Sequence, residues 1–167
     1  MEENSDYGLL LHESDIKLHR KYFNEMVKLI GIKVVFRAPL PNKHYTVYTE
    51  IQSNYTKPEV VGCIFEEHPQ QQTLKKLGWV SELQEGASII HVPYDLEGLQ
   101  QGALFIIPSG LDHTSGRLFR VTKLKVGIIY PASISCEIVP EYEDTFSNAQ
   151  FEYKRTSFNL LKEEEGY

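Results

Sequence analysis

Six histidines (His12, His19, His44, His68, His91 and His113) and two cysteines (Cys63 and Cys136) are the side chains of this sequence best suited to hold a metal or move a proton. Their spacing builds neither site. Only Asp112-His113 sets a carboxylate beside an imidazole, and adjacent loop residues seldom reach one metal together. Glu66-Glu67-His68 has the composition of a ligand cluster, yet it follows an apolar segment and precedes Pro69, which reads as solvated loop charge. Ser109-Gly110 and Ser115-Gly116 belong to no Gly-x-Ser-x-Gly elbow, so neither serine is presented at a strand-to-helix turn and no triad is nominated. A phosphate loop needs glycine, lysine and serine or threonine at fixed spacing, and no such run occurs. Carboxylate pairs such as Asp95 with Glu97 are ordinary loop features unless a pocket surrounds them. The cysteines stand in apolar segments without a neighbouring cysteine or paired histidine and read as free, buried thiols. The expectation is a protein that is not an enzyme and has no cofactor and no metal.

Composition narrows the partners. A length of 167 residues is the size of one globular domain, and 41% apolar residues with one Trp, ten Tyr and eight Phe supply enough bulk for a core. The 17 basic and 23 acidic residues give a formal charge of −6, which opposes a surface devoted to nucleic-acid phosphates. Apolar runs such as Val60–Phe65 and Ala103–Ile107 are far shorter than the roughly 18 residues of a membrane-crossing helix. The opening Met1-Glu2-Glu3-Asn4-Ser5-Asp6 is acidic where a secretory signal is basic and then apolar, so no export is expected.

The elements that would position any site follow from periodicity. Ser14 is a suitable helix cap with Asp15 in the first turn, and Ile16, Phe23, Met26, Val27 and Ile30 recur on one apolar face. Gly31 then ends the helix in a left-handed conformation, and Ile32–Phe36 turns β-branched and aromatic. From there the pattern is nearly all β. A half-buried strand is predicted through Tyr45, Val47, Thr49 and Ile51, and strands buried on both sides at Val60–Phe65 and Ala103–Ile107. Phe119 and Val121 alternate with Arg120 and Thr122, then Leu124 and Val126 with Lys123 and Lys125, while Ile134, Cys136 and Ile138 alternate with Ser135 and Glu137. Pro39-Leu40-Pro41-Asn42 breaks the chain between the first two strands, Pro131 and Pro140 bracket the last, and Thr73–Leu77 ending at Gly78 is a short helical turn. Six or seven short strands with little helix between them predict a mainly β fold, a small antiparallel β-barrel or sandwich with one N-terminal helix and extended terminal arms.

The expected divisions are an N-terminal arm (1–13), a helix plus β-barrel domain (14–140) and a C-terminal arm (141–167). The first arm carries Leu9, Leu10 and Leu11, and the second carries Phe146, Phe151, Tyr153, Phe158, Leu160 and Leu161 without a clear period. Side chains this apolar in segments this irregular are candidate partner-contact residues; burial against a neighbouring chain or back on the barrel are the two alternatives. A small nucleic-acid-binding barrel is the reading from another class. Lys43, His44, Tyr45 and Tyr48 would form its stacking platform, and Arg117, Arg120, Lys123 and Lys125 its basic patch.

Three stretches carry a resemblance to a known family. They are Tyr22-Phe23-Asn24-Glu25-Met26-Val27-Lys28-Leu29-Ile30-Gly31-Ile32, Gly62-Cys63-Ile64-Phe65-Glu66-Glu67-His68-Pro69 with Thr73-Leu74-Lys75-Lys76-Leu77-Gly78-Trp79, and Gly102-Ala103-Leu104-Phe105-Ile106-Ile107-Pro108 followed by Arg117-Leu118-Phe119-Arg120-Val121. The chain resembles the neck proteins of tailed bacteriophages, in the head-tail connector or head-closure class. The resemblance implies a non-catalytic virion protein, made in the bacterial host cytoplasm, that forms a ring oligomer with itself. Its expected partners are portal or adaptor proteins on the head side and tail or tail-terminator proteins on the tail side. DNA enters only as non-specific channel contents, and no membrane is involved. A tail-terminator or other tail-completion role is the neighbouring alternative.

Overall fold

A computed structural model of the chain describes residues 12–45, 51–79, 83–109, 115–127 and 131–141. Helix α1 (Glu13–Ile30) leads into strand β1 (Ile32–Arg37), followed by β2 (Pro39–Tyr45), β3 (Ile51–Tyr55) and β4 (Glu59–Glu66). A short helix α2 (Gln71–Leu77) precedes β5 (Ser88–Pro93), β6 (Leu104–Ser109), β7 (Ser115–Val126) and β8 (Ser133–Pro140). Six strands close into a barrel in the order β1-β4-β5-β8-β7-β6, with β6 returning to β1 through Val35↔Ile106, and every pairing is antiparallel. The fold is mainly β: a small closed antiparallel barrel with one N-terminal helix. Closure gives every one of the six strands a neighbour on both sides, through β1-β6 and β4-β5 ladders only three residues long.

Alternation along each strand sends one set of side chains inward. Val34, Phe36, Cys63, Ile90, Val92, Phe105, Phe119, Val121, Cys136 and Ile138 form the interior, with the Phe36 and Phe105 rings 5.1 Å apart. Besides α1, two further layers cover the outer wall. Tyr55 and Val60 pack on Val35, Leu104, Ile106 and Leu118, while Leu74 of α2 and Trp79 lie over Ile89. This second layer explains why β6 is apolar at consecutive positions: Phe105 and Ile107 face the interior, and Leu104 and Ile106 face the outer cluster.

Three expectations are corrected. A single strand through Tyr45–Ile51 is not formed, because Tyr45 and Ile51 pair with each other across a separate two-stranded β2-β3 sheet and the chain reverses between them. Period-two alternation continues through a reversal of this kind and conceals it. Pro39–Asn42 does not break the chain but lies in β2, where a register irregularity between Pro39 and Lys43 accommodates the prolines. Gly31 is not left-handed; its φ of −79° and ψ of 170° are extended. Glycine is needed there for space: a Cβ would press on the Val27 carbonyl and lie 2.7 Å from the Cys63 carbonyl oxygen, both backbone atoms. Gly78, at φ 73°, does take the left-handed turn that ends α2, and its N–H reaches the Lys75 carbonyl at 3.2 Å.

The helix also departs from its predicted face. His12 rather than Ser14 occupies the cap position, without a side-chain cap bond. Ile16 is buried, and Phe23 and Val27 are half-buried toward the barrel, but Met26 and Ile30 are exposed. Arg20 takes the remaining inner place, donating from Nε to the Pro131 carbonyl at 3.2 Å with its guanidinium 3.5 Å from the centre of the Tyr94 ring.

In β7 the inward phase switches from odd to even positions, and the register shifts between Val121 and Lys123. Thr122 is the extra residue of this bulge. It donates at 2.6 Å to Oε1 of Glu137, a carboxylate with 0% exposure on the outer wall of β8. The Gln84 N–H donates to the other oxygen at 3.3 Å, so Glu137 ties the segment after α2 to the barrel.

Candidate functional site

The candidate partner-contact residues Leu9, Leu10, Leu11, Phe146, Phe151, Tyr153, Phe158, Leu160 and Leu161 lie outside the described residues, as does Tyr48. Of the predicted stacking platform, Lys43, His44 and Tyr45 are placed on β2. Two members of the predicted basic patch, Arg117 and Arg120, are paired with carboxylates. Arg117 pairs with Glu67 at 2.5 Å, Arg120 pairs with Glu141 at 2.6 Å, and the Lys125 ammonium donates to the Leu77 carbonyl at 2.9 Å, capping the C-terminal end of α2. The Arg117 guanidinium holds the Glu67 carboxyl below the usual carboxylate range. Lys123 is also engaged.

The surface with most to offer is α1. Leu18, Tyr22, Met26 and Leu29 recur every three or four residues and form a second apolar stripe, turned away from the side that Ile16, Phe23 and Val27 press on the barrel. Leu29 is 83% exposed and Ile30, beside it, 65%. An amphipathic helix on a small domain normally shows water its polar side. Here an apolar strip faces outward instead. The sequence contained the signal, since Leu18, Tyr22 and Leu29 are apolar at helical spacing, but choosing one face for burial set them aside.

A flank of α1 is basic. Lys17, Lys21, Asn24 and Lys28 follow one another at helical spacing along a groove of about 750 Å³ completed by Arg20, Glu25, Pro93, Tyr94 and Asp95. Lys17 forms an exposed pair with Glu13 at 2.8 Å, which lowers the Glu13 carboxyl and raises the Lys17 ammonium from their usual ranges through the hydrogen bond and the charge. The strip is not uniformly basic, since Glu13 pairs with Lys17 and Glu25 and Asp95 line the same groove.

One constellation looks catalytic, and the sequence did not single it out. Glu66, dismissed as loop charge, ends β4, and its carboxylate lies 2.8 Å from His91 Nε2 on β5. His91 Nδ1 lies 2.7 Å from the Ser135 hydroxyl on β8, and Thr73 of α2 donates to the second Glu66 oxygen at 3.1 Å. A neutral imidazole protonated on Nε2 satisfies the whole chain: it donates to Glu66 and accepts from Ser135, a tautomer assigned from the network. The register explains the juxtaposition, since His91 is the cross-strand partner of both Ile64 and Ser135. Ser135 is poorly reached from outside. Ser135 is 8% exposed in a strand paired on both sides, and those ladders engage the backbone donors that an oxyanion would need. Its chemistry is that of a polar clasp joining β4, β5, β8 and α2. A fluorophosphonate probe is expected to leave Ser135 unmodified, and His91→Ala is expected to cost about 1–3 kcal/mol in urea unfolding by stranding Glu66 and Ser135. Labelling that disappears in Ser135→Ala would reverse this assignment.

The two thiols are buried in the barrel interior, and burial pushes each up to about 12, so neither supplies a thiolate near neutral pH. Among the described residues no cluster of three or more His, Cys, Asp or Glu side chains is placed to hold a metal ion, and no helix is long and apolar enough to cross a membrane.

No known protein family matches the chain, and no curated protein matches it. Among solved structures, the solution structure of protein SF1141 from Shigella flexneri 2a is similar with a TM-score of 0.47 at 11% identity, over 66% of this chain and 92% of that one.

Proposed function

We propose that this chain is a structural virion protein of a tailed-phage neck: a non-enzymatic subunit that assembles with copies of itself into a ring joining the head portal to the tail, and that continues or closes the DNA channel. The resemblance of the three stretches quoted above supplies the class. The outward apolar stripe of α1, Leu18-Tyr22-Met26-Leu29, is the observation that carries the assembly. A small domain that joins a ring needs surface patches complementary to two neighbours, and the stripe supplies an apolar centre for one of them. The neighbouring role of tail terminator uses the same surface. Analytical ultracentrifugation with negative-stain imaging is expected to show concentration-dependent rings, and mass spectrometry of purified virions to find the chain in the particle. A monomer at all concentrations, absent from virions, would overturn the reading.

The second reading, a nucleic-acid-binding barrel, is favoured by the lysine flank of α1 rather than by the strands first considered. It requires duplex-DNA affinity in fluorescence anisotropy that falls steeply with salt and is weakened by Lys21→Glu and Lys28→Glu.

A further inference from the structure

We propose that the groove where α1 meets β1 is the seat for the Leu9-Leu10-Leu11 segment of a second copy of this chain, an inference that rests on the ring reading. The groove, of about 560 Å³, is lined by Val27, Gly31, Ile32, Gly62 and Pro108, with the exposed Lys28 and Lys33 also bordering it. Two features leave it open. Gly31 and Gly62 carry no side chains to fill it, and Gly31 cannot gain one without pressing on the Val27 and Cys63 carbonyls.

The occupant is identified by chemistry and by reach. Leu9, Leu10 and Leu11 are apolar and small enough for such a slot, and the residues before them, Glu2, Glu3 and Asp6, are acidic where the groove is bordered by lysines. The same segment of the same chain cannot get there. Leu10 stands three residues before the start of α1 at Glu13, a covalent reach of about 11 Å, whereas Gly31 lies at the far end of the helix, about 27 Å away at 1.5 Å per residue. The leucines therefore meet this groove only on another molecule. The contact is head-to-tail, with different patches on the two sides, the kind that closes into a ring when the rotation permits.

The test uses full-length chains. Leu10→Cys and Lys33→Cys are made separately, mixed and treated with bis(maleimido)ethane, whose span is well short of the distance within one chain. Cys63 and Cys136 are buried and stay silent. A mixed dimer is expected, with a yield at least about tenfold above that of Leu10→Cys mixed with the exposed control Glu85→Cys, because docking raises the local concentration of the pair. Adding Ile32→Asp to the Lys33→Cys chain is expected to return the yield to the control level while Trp79 fluorescence remains native. The double variant Leu10→Cys/Lys33→Cys is expected to give a ladder of oligomers and no internally bridged monomer. Rings in solution with a control-level yield would overturn the groove assignment and leave the ring reading standing, whereas the absence of any self-association would overturn both.

Discussion

Changing Met26 and Leu29 together to glutamate is expected to abolish self-association while circular dichroism and the melting temperature stay near those of the parent chain. Both positions face away from the barrel, and glutamate is as good a helix former as the residues it replaces, so the fold loses little. The interface loses much more. Each Leu or Met side chain fully buried in a contact contributes roughly 1.5–3 kcal/mol, and two new carboxylates would have to be desolvated in their place. The weakening is therefore at least about a hundredfold in the association constant. Lys17→Glu, on the basic flank of the same helix, serves as the control for charge alone. An unchanged oligomer distribution in the Met26→Glu/Leu29→Glu chain would remove the stripe from the assembly.

The largest loss of stability is expected from Glu137→Ala. The carboxylate is fully buried and holds Thr122, the bulge residue of β7, and the backbone of Gln84. Truncation removes the acceptor of the Gln84 N–H, leaves the Thr122 hydroxyl only the Glu137 backbone carbonyl at 3.3 Å, and opens a cavity between the wall of the barrel and the segment after α2, a cost of about 2–4 kcal/mol. In a chain of this size that corresponds to a fall of roughly 5–15 °C in the melting temperature. Glu137→Gln keeps the shape and one acceptor, and is expected to lose less than half as much. Trp79, buried under α2 beside Ile89, is the natural reporter, because the segment that Glu137 fastens begins just beyond it. If Glu137→Ala and Glu137→Gln melt together with the parent, the two hydrogen bonds do not stabilise the fold.

Glu137 also shows where sequence reading succeeds and where it stops. Most barrel strands were legible, β7 and β8 from alternation such as Ile134, Cys136 and Ile138, and β4 and β6 from the apolar runs Val60–Phe65 and Ala103–Ile107; β5, with Ile90 and Val92 in the interior, went unread, and so did the bulge in β7. Outer-wall positions were misread. Glu137, Ser135 and His91 fall in the polar phase of their strands, which suggests solvent, yet α2 and the segment after it cover that wall. A covering layer is a long-range event that no local period records. The clasp through Glu66, His91 and Ser135 was hidden for the same reason, since its three members are brought together only by the β4-β5-β8 register. The stripe on α1 was hidden differently: with apolar residues on both sides, the helix offered two faces for burial, and the barrel used the one centred on Ile16, Phe23 and Val27.

The junction at Gly31 has a consequence for symmetry. Helix and barrel meet there with carbonyl oxygens filling the space a side chain would occupy, so the joint has no slack and the bearing of α1 on the barrel is fixed. If copies meet through this helix, the turn from one copy to the next is inherited from that joint. A residue added between Leu29 and that joint would swing the whole outer stripe by about 100°. A closed circle tolerates very little error in its repeating angle, and the same contacts at a slightly wrong angle generate an open spiral. A single alanine inserted midway along α1 would instead turn Leu18 and Tyr22 about 100° out of line with Met26 and Leu29 and lift the buried Ile16 from the barrel, so the stripe would no longer offer one continuous contact.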